Sequence, residues 1–180
     1  MTAHNFRQSL SWESKIKLLP VWREVYKKAF PFLKSVAVEN NLDEQYAGVD
    51  KIITLNGGHK IYVDEKFRGR NRITGKVYSD IALEYWSVFE DHIPGWVCKP
   101  LKADYIVYLI CPSGISHFLP VKNLQSAWEK WETEWKKTFG CSPAKNGKYT
   151  TYFTPVPADI VFSKVEGCFS VSFEPFEVQL

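Results

Sequence analysis

The sequence predicts an α/β fold in which a mixed central β-sheet is flanked by helices. Three observations lead there: an early run of apolar residues at helical spacing, two β-prone segments joined by an Asn-Gly turn, and a wholly apolar strand-like hexamer farther along. At 180 residues, 45% hydrophobic and 24% charged, the chain suits one domain spanning 1–180.

Residues 12–46 read mainly as helix interrupted at Pro20 and Pro31. Val21, Trp22, Val25, Tyr26, Ala29 and Phe30 recur on one helical face. A proline lacks an N–H and clashes inside a helix, so Pro31 separates two pieces, the second running from Phe32 to about Asn40. Gly48 to Leu55 is rich in β-branched residues, Asn56-Gly57-Gly58 supplies a turn, and His59 to Phe67 returns as a second strand. A further strand is expected within Ser79 to Val88.

Tyr105 to Ile110 is nearly all apolar, as a buried central strand should be. His117 to Pro120 adds a short strand, and Leu124 to Phe139 reads as helix. On that helix Leu124, Trp128, Trp131 and Trp135 share one face, which is a core stripe before it is a stacking platform for bases. From Tyr149 to Leu180 the chain alternates apolar residues around Pro155 and Pro157, a β-structured or irregular arm closing the core.

Several classes are disfavoured. No stretch approaches the ~18–20 apolar residues of a membrane span, and residues 1–10 lack the apolar segment of a signal peptide. Cys98, Cys111, Cys141 and Cys168 form no CxxC pair, so the expectation is four buried free thiols in a reducing cytosol. A net charge of +3 is too small to argue nucleic-acid binding. Its distribution says more: Lys66, Arg68, Arg70, Arg72 and Lys76 fall within eleven residues. No GxSxG elbow, phosphate-binding lysine loop or GxGxxG fingerprint is present, and His4, His59, His92 and His117 are scattered.

The chemistry gathers on the hairpin. Alternation puts Tyr62, Asp64 and Lys66 on one face and Ile61, Val63, Glu65 and Phe67 on the other. With the turn centred on Gly57, Asp50 and Asp64 stand nearly opposite. Two carboxylates that close repel unless a cation lies between them. Mg²⁺, a hard cation favouring oxygen ligands, meets that need and can activate water beside a phosphate. The plain alternative is a solvated hairpin carrying an Asp–Lys cross-strand pair.

Gly48-Val49-Asp50, thirteen intervening residues and then Asp64-Glu65-Lys66 in a strand resembles the D…(D/E)xK signature of the PD-(D/E)xK nuclease superfamily. The resemblance covers residues 48–66 and implies a restriction-endonuclease-like core. It implies metal ligation by Asp50, Asp64 and the Glu65 backbone carbonyl, with Mg²⁺ or Mn²⁺ as cofactor and Lys66 as catalytic lysine. The implied activity is phosphodiester hydrolysis, with DNA the expected substrate. Arg68, Arg70, Arg72 and Lys76 follow the strand either as contacts to flanking phosphates, with Lys99 and Lys102 extending that basic track, or as a solvated loop that merely contains arginine. Many members add a first-helix Glu, for which Glu24, Glu39 and Glu44 are equal candidates, and Glu84 is a further acidic candidate. The expected setting is cytoplasmic, without membrane contact, and a homodimer would suit cutting of both strands. The rival expectation is a nucleic-acid-binding or protein-interaction module on the same fold without catalysis; a third is a phage or mobile-element structural protein.

Overall fold

The computed structural model describes residues 20–71 and 74–177. Helix α1 (Pro20–Ala29) buries Trp22, Val25 and Tyr26, spaced three and four apart as one apolar stripe requires. Pro20 opens this helix instead of interrupting one, because a proline's missing N–H costs nothing in the first turn. The part of the expected helix before Pro20 lies outside the described residues.

The expectation of a second helix over 32–40 is corrected. Leu33–Val38 is strand β1, antiparallel to β2 (Lys51–Leu55) with Val36 facing Ile53. Tertiary pairing decides it: six residues are too few for helical periodicity to outweigh a waiting strand edge. The short helix α2 (Leu42–Tyr46) follows, with Asn41 Oδ1 accepting from the Asp43 N–H at 2.9 Å as its N-cap.

β2 turns through Gly57 and Gly58, both at positive φ, into β3 (Lys60–Arg68). After β4 (Asp80–Val88) and the short β5 (Ile93–Pro94), β6 (Tyr105–Ile110) lies parallel to β3. A 3₁₀ turn at Cys111–Ser113 leads to β7 (Ile115–Pro120), and α3 (Val121–Phe139) follows. The tail forms β8 (Ser142–Asn146), β9 (Tyr149–Pro157), the unforeseen helix α4 (Ala158–Lys164) and β10 (Phe169–Ser172).

The result is a mixed α/β architecture with two sheets. The central six-stranded sheet runs β1-β2-β3-β6-β7-β10, and β3–β6 is its parallel pair. A four-stranded antiparallel sheet runs β5-β4-β9-β8. One face of the central sheet packs against α1 through Ile53, Ile61, Val63, Val107, Leu109 and Phe118. The other presents Ile106, Tyr108, Ile110 and Leu119 to β4, β9, α3 and α4. The tryptophan stripe of α3 belongs to this second core: Leu124, Trp128 and Trp135 are buried and Trp131 packs against them.

All four cysteines are free, but the expectation that all are buried holds only for Cys111. Cys98 and Cys141 are exposed and Cys168 is half-buried. Among the described residues no helix is long and apolar enough to cross a membrane.

Candidate active site

The hairpin register is the one the sequence predicts. Lys51 pairs with Val63, Ile52 with Tyr62, Ile53 with Ile61 and Thr54 with Lys60. At the open end the ladder loosens: the Asp50 N–H also donates to the Val63 carbonyl, at 2.8 Å, so two residues stand against one as in a bulge. Asp50 then turns its carboxylate along β3, where Oδ2 accepts the Glu65 N–H at 2.8 Å. Gly48 makes the approach to this corner possible. Its φ is +79°, and a Cβ there would lie 2.6 Å from Leu101 Cδ2 and 3.5 Å from Asp64 Oδ2.

Strand alternation sorts the carboxylates. Asp64, Lys66 and Arg68 stand beside Ile106, Tyr108 and Ile110 of β6, on the face turned to the second sheet. Glu65 and Phe67 stand beside Val107 and Leu109, on the face covered by α1. There the Glu65 side chain is closed off: Tyr26 Oη donates to its Oε1 at 2.6 Å, and Lys51 Nζ lies 3.2 Å away. The side chain is thus occupied, which leaves the backbone of Glu65 to face the site. The N–H and C=O of one strand residue project to the same edge, and β2 starts only at Lys51, so the Glu65 carbonyl faces the Asp50 side.

On the other face Lys66 Nζ pairs with Asp64 Oδ1. Burial pushes the Asp64 carboxyl up to about 6; the Lys66 charge opposes this, while the neighbouring Asp50 carboxyl, hydrogen-bonded to it, adds to it. Burial alone would lower the Lys66 ammonium, but Asp64 and Asp50 more than offset that and carry it to about 12. Glu84, from β4, faces the same group; burial raises its carboxyl and the Lys66 charge opposes the rise. On the α1 face burial lifts Glu65 to about 7 against the pull of Lys51 and Tyr26.

Asp64 and Asp50 lie at the floor of a cleft of about 700 Å³. Leu42, Gln45 and Tyr46 of α2 form one wall, and Ala82, Glu84 and Ser87, with Trp96 and Lys99, form the opposite one. Lys99 reaches across, its Nζ donating to the Tyr46 carbonyl at 3.3 Å. Among the described residues no group of three or more His, Cys, Asp or Glu could by itself hold a metal ion. The carboxyls that meet are the pair Asp50 and Asp64, so a backbone oxygen or retained waters must complete any coordination shell.

The remaining candidates divide. Arg68 lines the cleft, ion-paired with Asp80, its guanidinium 3.7 Å above the Tyr78 ring centroid. Arg70 is directed elsewhere, with Nε 3.1 Å from Glu177 Oε1. Lys76 is exposed on the same loop, and Arg72 lies outside the described residues. Lys102 pairs with Glu44 at 2.6 Å. Of the first-helix candidates, only Glu24 is in α1, where it pairs with Lys28 at 2.7 Å. Glu39 accepts the Asn41 N–H. None of Glu24, Glu39 and Glu44 lines the cleft, whereas Glu84 does. Burial lowers the His117 imidazole to about 4; its Nδ1 lies 2.8 Å from Ser170 Oγ, and it does not line the cleft.

Three participants were not anticipated: Tyr26, Lys51 and Tyr46. Lys51 was accessible from alternation, since pairing with Val63 puts it on the face of Glu65. Tyr26 looked like any core aromatic, and its hydroxyl partner is 39 residues away in sequence. The chain matches no protein-family model, and no curated protein or solved structure matches it.

Proposed function

We propose that the chain is a Mg²⁺- or Mn²⁺-dependent nuclease of the PD-(D/E)xK type, built on a restriction-endonuclease-like core and acting on DNA. The observation that carries this reading is the buried, hydrogen-bonded carboxyl pair of Asp50 and Asp64, with Lys66 bound to Asp64, at the floor of an open cleft. Asp50, Asp64 and the Glu65 carbonyl would hold the cation. Two carboxylates and one carbonyl suit a hard ion that keeps several waters. Bound there, it would polarise water and neutralise charge developing on the phosphate.

The chain's own residues supply the rest. Lys66, charged throughout the physiological range, is held by Asp64 where it can meet a phosphate oxygen or orient the attacking water. Glu84, on the opposite wall, balances that charge. Arg68 offers a donor plane at the cleft's far end, fixed by Asp80 and Tyr78. Arg72 and Lys76 would make the outer phosphate contacts, whereas Arg70 is held by Glu177.

The test is metal-dependent cleavage of DNA and RNA by wild type, Asp64→Ala and Lys66→Ala. Each variant should lose about 10²- to 10³-fold, the scale of removing one preorganised charge from a water-poor site. Equal cleavage by all three would assign the activity to another site or to contamination.

A further inference from the structure

We propose that the substrate engaged by this cleft is single-stranded DNA or an unpaired strand end, with a base stacked on Tyr46. This rests on the nuclease reading above and names its substrate class. The reacting groups are recessed: Asp64 is 4% and Asp50 8% exposed, at the floor of a cleft of about 700 Å³. That volume is of small-molecule size, within the roughly 300–1,000 Å³ of ordinary ligand pockets. A duplex is stiff over about 50 nm and bends only at a cost, so bringing its backbone down between two walls is unfavourable. A single strand threads one or two nucleotides inward without that cost.

The charges agree. Duplex affinity draws largely on lysine and arginine neutralising phosphates along the backbone. Here Arg68 is paired with Asp80, Arg70 with Glu177 and Lys102 with Glu44, and the net charge of the chain is only +3. These three cations are already engaged within the protein, so a further source of affinity beside phosphate contacts is called for.

The aromatic wall supplies it. Tyr46 lines the cleft yet is 77% exposed, and Leu42, one helical turn before it, is 66% exposed. An aromatic ring held outward on a short capped helix serves little for stability, but it is what an unpaired base stacks upon. Lys99, whose Nζ donates to the Tyr46 backbone carbonyl at 3.3 Å, sets a cation at the same residue of the wall, where a strand phosphate could meet it.

The experiment has two arms. Fluorescence anisotropy with a labelled oligothymidine of about 12 nucleotides, and with the matching blunt duplex, measures binding in Ca²⁺. Cleavage of the same two probes is followed in Mg²⁺. Wild type should bind and cut the single strand at least tenfold better than the duplex. Tyr46→Ala should weaken single-strand binding about tenfold, the order expected for one base–aromatic stack, and Tyr46→Phe should recover most of that loss. Equal handling of duplex and single strand overturns the proposal while leaving the nuclease reading intact. Binding unchanged in Tyr46→Ala overturns it too. Absence of any Asp64-dependent cleavage sinks the nuclease reading; the strand preference then stands or falls on the anisotropy arm alone.

Discussion

The two faces of β3 carry the same chemical groups in opposite conditions. Towards α1, Glu65 meets Lys51 and the Tyr26 hydroxyl in a closed core, the Glu65 and Lys51 side chains being 2% and 4% exposed. Towards the second sheet, Asp64 meets Lys66 at the floor of a cleft, and the Lys66 side chain is 31% exposed. With both side chains almost fully enclosed, the carboxylate–ammonium pair on that face has little room to exchange partners. Its counterpart next door faces a space that a ligand can enter. One residue of alternation separates a pair enclosed in the core from a pair that faces the cleft.

That contrast can be broken at several points. Lys51→Ala should have the largest effect on stability, about 3–5 kcal/mol, because it leaves a buried carboxylate without its cation. Urea unfolding at pH 8 measures it, and a loss below about 1 kcal/mol would class the pair with ordinary surface bridges. Tyr26→Phe should cost about 1.5–3 kcal/mol, the worth of a hydrogen bond to a charged group. Under the proposed nuclease reading, cleavage should be touched only through stability, so a large fall in kcat with unchanged melting would join the two faces functionally.

A smaller effect is expected from pH. Asp64 and Glu65 release their protons near 6 and 7 in the folded chain, and near 4 when unfolded. Between those values the folded state binds more protons, so stability falls as pH rises from about 4 to about 7. Melting temperature against pH reads this directly. Glu65→Gln should flatten the part nearer neutrality, and Mg²⁺ at pH 8 should restore stability to wild type but not to Asp64→Asn. A melting temperature unaffected by pH across that window would count against both buried carboxyls.

The hairpin was legible because everything that sets its register is local: an Asn-Gly turn, β-branched flanks and a period of two. That locality placed Asp50 against Asp64 and turned Glu65 away. Leu33–Val38 was misread as helix because its pattern is short and its pairing with β2 lies outside any sequence window. Of the two readings of the tail, the β-structured one holds: β9 joins the second sheet and β10 the edge of the first, with the unforeseen helix α4 between them. Glu84 could be suspected but not chosen, since only the pairing of β4 with β9 turns it towards Lys66. Glu24 had the better position in the first helix and spends its charge on Lys28.

The cleft's second wall has a consequence for the order of assembly. β2 and β3 are neighbours in sequence and joined by a tight turn, so the Asp50–Asp64 corner needs only a local contact to form. β4 is held by β9, which begins 61 residues after β4 ends, with β6, β7 and α3 in between. Closing so long a loop is slow. The acidic corner thus rests on neighbours in sequence, whereas the wall that encloses it rests on a strand 61 residues farther along.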